Sequence, residues 1–117
     1  MFKYAKSHEW INTDNGEVGI TANAVELLGD IVFLELPQSG QTVAKDSSVA
    51  VVESVKAASD VYSPVSGSIL ETNTDLESSP ELLNENPNTW LFKIDISNKD
   101  ELEGLLDESA YKEEINK

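Results

Sequence analysis

The stretch Val-Ala-Val-Val-Glu-Ser-Val-Lys-Ala-Ala-Ser-Asp-Val-Tyr-Ser-Pro, residues 49–64, decides the fold. Its first part, residues 49–52, is an apolar run that predicts a buried strand. Residues 61–62, followed by a proline, predict the antiparallel return strand. Lys56 then falls at the turn, where its amine projects from the fold within reach of another protein. Residue types alone favour an ordinary solvated lysine at this turn.

Short strand-like runs separated by turn residues lie on both sides of this hairpin. Asn15-Gly16 is a strong hairpin signal between residues 7–11 and 16–20. Four more runs rich in β-branched and apolar residues predict strands at 30–36, 41–43, 68–73 and 90–96. Many short strands joined by turns are typical of a mainly β protein, a sandwich or flattened barrel.

The sequence also predicts a few short helices. Thr21 caps a helix that ends at Gly29. Ser79, with a proline directly after it, opens a second helix. Ser97 opens a third that carries a leucine stripe, and a fourth covers about residues 109–115. We expect them to cover the edges of the sheets.

Length and composition are those of an ordinary globular domain. The 117 residues suffice for one domain with a modest core. We expect a single domain over 1–117, with core sheets in about 2–96 and C-terminal helices in about 97–116. No apolar run could cross a bilayer, so a soluble protein is expected. The N-terminus lacks a leader-like segment, which favours a bacterial cytoplasmic protein, although a processed organellar form would have the same appearance.

Charge and residue counts exclude several classes of function. Eight lysines oppose 22 acidic residues, and the net charge of -14 would repel nucleic acid and anionic membranes while attracting basic protein surfaces. There is no cysteine and one histidine. Thiolate or multi-histidine metal sites and cysteine nucleophiles are therefore excluded, and no metal site is expected.

A catalytic triad would need His8 as its base. In a strand, alternation places Ser7 and Glu9 on one face and His8 on the other. Carboxylates are too abundant for any pair of them to indicate acid–base chemistry. No catalytic residue is predicted, and the chain is expected to be a non-enzymatic protein.

Six motifs in a fixed order cover nearly the whole chain. They are Ser-His-Glu-Trp at 7–10, Val-Gly-Ile-Thr at 18–21, Leu-Gly-Asp-Ile-Val-Phe-Leu-Glu-Leu-Pro at 28–37, Val-Val-Glu-Ser-Val-Lys-Ala-Ala-Ser-Asp at 51–60, Ser-Pro-Val-Ser-Gly at 63–67 and Ser-Pro-Glu-Leu-Leu-Asn at 79–84. Together these motifs resemble the H-protein family of the glycine cleavage system. Biotin carriers instead have Met-Lys-Met around the lysine, and lipoyl domains of 2-oxoacid dehydrogenases usually have Asp-Lys-Ala.

The resemblance implies the hammerhead fold that lipoyl and biotinyl carriers share. It also implies that Lys56 carries lipoate in amide linkage, inside an attachment signature of Glu53, Ser54, Val55 and Ala57. Lipoate would supply the disulfide that this cysteine-free chain lacks.

The partners that the resemblance implies are enzymes. A pyridoxal-phosphate glycine decarboxylase leaves an aminomethyl group on the lipoyl arm. A folate-dependent aminomethyltransferase removes the one-carbon unit, a flavin dihydrolipoamide dehydrogenase reoxidises the dithiol, and a lipoate-attaching enzyme modifies the lysine. The carrier itself is expected to be a monomer.

The family is understood to fold its loaded arm into a cleft that excludes water, where a carboxylate can hold the ammonium. By motif position, the cleft residues are Ser7, Glu9 and Asp60. The alternative is that Glu9 and Asp60 are simply solvated carboxylates.

The chain departs from the family pattern in two places. Residues 22–23 are Ala-Asn where many members have an acidic residue and histidine, and residues 88–89 form a shorter, glycine-free stretch before Trp90. Two other functions stay open: a lipoyl relay outside glycine catabolism, and an acidic interaction module without a prosthetic group. A phosphopantetheine acyl carrier would need a helical bundle, which these strands do not predict.

Overall fold

The computed structural model describes residues 1–116, and Lys117, the last residue of the expected domain, lies outside the described residues. Within that range the chain forms nine strands, β1 Phe2–Tyr4, β2 Glu9–Asn12, β3 Glu17–Ile20, β4 Ile31–Glu35, β5 Thr42–Val43, β6 Ser48–Ser54, β7 Ala58–Tyr62, β8 Gly67–Thr72 and β9 Phe92–Ile96. The helices are α1 Ala22–Leu28, α2 Thr74–Ser78, α3 Leu82–Glu85, α4 Glu108–Ile115 and a 3-10 helix at Lys99–Gly104.

The strands form two antiparallel sheets that enclose one core. The larger sheet has the order β1-β2-β3-β9-β8-β5, and the smaller has the order β4-β6-β7. Ile11, Val18 and Phe92 of the larger sheet and Val52 of the smaller are fully buried in a shared apolar cluster. The predicted mainly β fold is confirmed as a sandwich, and in the described chain neither sheet closes into a barrel.

The hairpin predicted at residues 49–62 is confirmed as β6 and β7. Val52 faces Ser59 and Glu53 faces Ala58 in the antiparallel register. Inward and outward residues alternate near the end of β6, where Val52 and Ser54 are buried and Glu53 is exposed.

The predicted Asn-Gly hairpin is confirmed as β2 and β3, and Gly16 adopts the positive φ of 77° that such turns need. Two details differ from expectation. The strand expected from residue 7 begins at Glu9, because residues 5–8 form the connection from β1. β1 itself was not predicted, since three residues are too few to show a period.

Helix α1 matches its prediction, whereas two other helices begin at different residues. Thr21 caps α1 by accepting a hydrogen bond from the Ala24 amide at 3.2 Å, and Gly29 ends it with φ of 82°. The second predicted helix is confirmed as α3, which begins at Leu82 with Glu81 as its cap. Ser79 is not its cap residue. The Ser79 amide bonds to the Asp75 carbonyl at 2.9 Å and so closes the unforeseen α2.

The helix expected to start at Ser97 was also placed wrongly. Asn98 is its cap, accepting from the Asp100 amide at 3.0 Å, and the helix is a 3-10 helix. The expected last helix is α4, capped by Asp107. The longest helix of the described chain has eight residues, and none there is long and apolar enough to cross a membrane.

Candidate functional site

The connection between β6 and β7 is built by Ser54. Its amide donates to the Ala57 carbonyl at 2.8 Å, which closes a tight turn. Its hydroxyl oxygen lies 3.2 Å from the amides of both Lys56 and Ala57 and accepts from them. These bonds satisfy the amides of Ser54, Lys56 and Ala57 within the turn region itself.

The tip rests against the junction between α1 and β4. The Val55 amide donates to the Asp30 carbonyl at 3.1 Å. The Lys56 side chain passes over Gly29, where an added Cβ would lie 3.4 Å from Lys56 Cε and 3.7 Å from Nζ. Asn84 fixes this junction by accepting from the Ile31 amide at 2.8 Å and donating to the Gly29 carbonyl at 2.9 Å.

Lys56 itself is exposed, and none of the ion pairs formed among residues 1–116 involves it. The predicted signature residues divide into two kinds. Ser54 is buried and shapes the turn, whereas Glu53, Val55 and Ala57 are exposed around the lysine. The turn therefore holds its backbone rigidly while its amine is free to react.

Glu9 is buried, with 1% of its surface exposed. One carboxylate oxygen accepts from the Ser7 hydroxyl, and the other accepts from the Tyr62 amide of β7 at 3.1 Å. Burial raises the pKa of the Glu9 carboxyl, while the hydrogen bonds from Ser7 and Tyr62 oppose that rise. The alternative of a simply solvated carboxylate is therefore wrong for Glu9.

Asp60 is exposed on β7 and accepts from the Ser48 hydroxyl at 3.2 Å. The structure thus brings Ser7 and Glu9 into direct contact and places Asp60 on the strand between them and the tip. β7 runs from the Lys56 turn to Tyr62, a distance of about 13 Å at the usual rise of a strand.

The contact between Ser7 and Glu9 has a different cause from the predicted one. Ser7 lies in the loop before β2, so strand alternation does not apply to it. His8 adopts a positive φ of 78° and points its ring toward Tyr111 rather than toward Ser7 or Glu9. The loop turns Ser7 back over the start of β2.

Asp46 was missed as a residue of this region. Its charge further raises the pKa of Glu9. Its amide donates to the Ser63 carbonyl at 2.8 Å, which holds this turn beside β7. A polar turn is the only local pattern at Asp46, and its separation from Glu9 along the chain hides their interaction from sequence analysis.

Comparison with known proteins assigns the family. The model of the family described as Glycine cleavage H-protein matches residues 2–117. The chain belongs to this family.

Named relatives agree with that assignment. Glycine cleavage system H proteins from Thermotoga maritima and Chromobacterium violaceum are 52% and 53% identical, each over 97% of this chain and over 94% and 92% of their own lengths. The crystal structure of a glycine cleavage system H protein from Mycobacterium marinum is similar, with a TM-score of 0.89 and 36% identity over 99% of this chain and 97% of that one.

The two departures from the family pattern meet in space. Ala22, Asn23 and Asn88 all line one groove of about 380 Å³, together with Trp10 and Tyr111. Trp10 alternates with Glu9 along β2, so the groove and the Glu9 carboxylate lie on opposite faces of that strand.

Proposed function

We propose that this protein is the lipoyl-bearing shuttle of the glycine cleavage system, with lipoate in amide linkage on Lys56. The observation that carries the proposal is the Lys56 turn, whose backbone is fixed by Ser54 and whose amine is exposed. Membership in the H-protein family supports the same function. The shuttle is one domain over residues 1–117 and has no catalytic residue or metal site of its own.

The residues around Lys56 suit a lipoyl attachment site. An attaching enzyme must reach the amine, and the exposed side chains of Glu53, Val55 and Ala57 form the surface that it would meet. When attached, lipoate supplies the disulfide chemistry that accepts an aminomethyl group. The protein contributes the position of the amine and the surroundings in which that group is carried.

The partners in this proposal are four enzymes: the pyridoxal-phosphate glycine decarboxylase, the folate-dependent aminomethyltransferase, the dihydrolipoamide dehydrogenase and the lipoate-attaching enzyme. The net charge of -14 supports partners with basic surfaces and opposes nucleic acid and anionic membranes. We further propose a monomer in a bacterial cytoplasm, which agrees with the bacterial origin of its relatives.

Ser7, Glu9 and Asp60 are proposed to receive the loaded end of the arm. Glu9 offers a buried carboxylate at the far end of β7 from Lys56, and a carboxylate binds an ammonium through charge-assisted hydrogen bonds. Asp60 lies on the route along β7 and adds negative charge. Exclusion of water at Glu9 slows hydrolysis of the carried group.

Glycine-dependent exchange of labelled bicarbonate tests the shuttle function. The lipoylated protein should support exchange when added to glycine decarboxylase, and the Lys56→Arg variant should support none. If fully lipoylated protein gives no exchange, glycine cleavage is the wrong system. A lipoyl relay to other enzymes would then be the better account.

The lifetime of the loaded protein tests the cleft. Glu9→Ala should leave lipoylation intact and shorten the half-life of the aminomethyl-loaded form, because the ammonium loses its buried partner. Glu35→Ala is the matched control, since Glu35 is an exposed carboxylate on β4. Equal half-lives for the Glu9→Ala variant and the parent would remove this role from Glu9.

A further inference from the structure

The connection from β1 to β2 breaks a local rule of turn chemistry. Between the paired residues Ala5 and Glu9 it has three residues, which are Lys6, Ser7 and His8. The His8 amide donates to the Ala5 carbonyl at 3.0 Å, and the Ala5 amide donates to the Glu9 carbonyl at 2.8 Å. In such loops the third residue has a positive φ and is usually glycine. Here it is His8, with φ of 78°.

A histidine in this conformation is strained, so the surroundings must hold it. The His8 carbonyl accepts from the Thr21 amide at 2.9 Å. Its ring Nδ1 lies 2.7 Å from Tyr111 Oη, although the two residues are 103 positions apart. A glycine would keep the backbone bond without strain, and only the histidine ring can make the contact with Tyr111.

Tyr111 is a rigid partner for this contact. Its side chain is buried and its ring stacks on Tyr4, with the centroids 4.9 Å apart. Its hydroxyl also lies 2.7 Å from Thr21 Oγ1, the oxygen that caps α1. Tyr111 Oη therefore joins α4, the cap of α1 and the His8 loop in one hydrogen-bonded chain.

The chain can be satisfied for either tautomer of His8. With the proton on Nε2, Nδ1 accepts from Tyr111 and Tyr111 accepts from Thr21. With a proton on Nδ1, His8 donates to Tyr111 and Tyr111 donates to Thr21. Since Thr21 keeps a lone pair for the Ala24 amide in both arrangements, the loop stays tied to α4 in each.

We infer that Tyr111, through its hydrogen bond to His8, is a positioning residue that holds the loop in the conformation in which the Ser7 hydroxyl donates to the buried Glu9 carboxylate. His8 is bonded covalently to both Ser7 and Glu9, so its backbone angles set where Ser7 points. This inference rests on the proposed role of Glu9 in sheltering the loaded arm, and it assigns the control of that site to α4.

Tyr111→Phe tests the inference by removing one oxygen while keeping the stacked ring. Without the hydrogen bond between Tyr111 and His8, the Ser7 hydroxyl should donate to Glu9 less often. The pKa of the Glu9 carboxyl should then rise, as measured by a carbon-13 NMR titration of the unmodified protein. Tyr4→Phe is the matched control, because it removes the hydroxyl of the other stacked ring and should leave the titration of Glu9 unchanged.

His8→Gly distinguishes the hydrogen bond between Tyr111 and His8 from the hydrogen bond between Tyr111 and Thr21. It keeps the turn backbone and the Tyr111–Thr21 contact but removes the ring. Both His8→Gly and Tyr111→Phe should shift the Glu9 titration in the same direction, and the double variant should shift it no further. Loaded forms of both should hydrolyse faster, by on the order of fivefold for one lost hydrogen bond.

An unchanged titration of Glu9 in Tyr111→Phe, or additive shifts in the double variant, would overturn the inference. Failure of the proposed function gives a different pattern. In that case Glu9→Ala would leave the loaded lifetime unchanged, while the NMR shifts caused by His8→Gly and Tyr111→Phe would still appear.

Discussion

Two short connections carry side chains of the proposed site, and they are held in opposite ways. The turn between β6 and β7 is held mainly by Ser54, the last residue of β6, and it leaves Lys56 exposed. The loop between β1 and β2 is held by Tyr111 and Thr21 from distant parts of the chain, and it leads into the buried Glu9.

The difference follows from what each connection must do. A group offered to other enzymes, as proposed for Lys56, must stand clear of the fold. Its turn is therefore shaped mostly by local bonds, with one outside contact from the Val55 amide to the Asp30 carbonyl. A group sheltered from water must be enclosed by several segments, so its loop depends on contacts that form only in the complete fold. Changes at the first connection should therefore act on attachment, and changes at the second on the carried group and on pH dependence.

The largest expected effect is the loss of attachment in Lys56→Arg. The guanidinium cannot form the lipoyl amide, so lipoylation by a lipoate ligase should disappear completely. Because the side chain is exposed, the free energy of unfolding should change by less than about 0.5 kcal/mol. Intact-mass measurement determines the extent of lipoylation, and urea unfolding determines the free energy of unfolding.

Lys6→Arg is the control for this comparison, since Lys6 is an exposed lysine in the other connection. It should be lipoylated as fast as the parent. A lipoyl group found on the Lys56→Arg protein would show that another lysine serves as the attachment site.

An intermediate effect is expected for Ser54→Ala. The amides of Lys56 and Ala57 lose their acceptor, which should lower the free energy of unfolding by about 1–2 kcal/mol and slow lipoylation. Urea unfolding and the initial rate of lipoate incorporation measure the two effects. Ser59→Ala, at an exposed position on β7, should change neither. A full lipoylation rate in Ser54→Ala would show that the turn forms without its serine.

The smallest effect is a pH-dependent difference between the parent and Glu9→Gln. Burial raises the pKa of Glu9 in the folded state above its ordinary value of 4.5. The stability that this proton contributes is fully present below pH 4.5 and is lost as pH rises through the folded pKa. The stability of the parent relative to the variant should therefore fall across that window.

Urea unfolding at a series of pH values measures this difference. Glu35→Gln, which changes an exposed carboxylate, should give a flat difference over the same range. A parent that gains stability relative to Glu9→Gln as pH rises would contradict a raised pKa of Glu9 in the folded state.

The elements of the fold that have local sequence signals were predicted, and an element that lacks such a signal was missed. The β6–β7 hairpin, the Asn15-Gly16 turn and the helix from Thr21 to Gly29 were predicted because their signals are local. The five-residue α2 was missed, since the side chain of its cap residue Asn73 makes no capping bond and the segment is too short to show a helical period.

The site was only partly predictable. The hairpin pattern placed Lys56 at an exposed turn, but only the resemblance to the H-protein family suggested what the lysine carries. Strand alternation predicted that Ser7 and Glu9 lie together, but the reason was wrong. The positive φ of His8 in the loop determines their contact. The burial of Glu9 depends on Tyr62, 53 positions away, and no local pattern reports such a contact.

The central claim is that Lys56 carries lipoate, and mass spectrometry of protein from its native source tests it most directly. Intact mass with fragmentation of the peptide that contains residue 56 should show one lipoyl group on that lysine. Protein with an unmodified Lys56 under all growth conditions, including growth on glycine, would contradict the account.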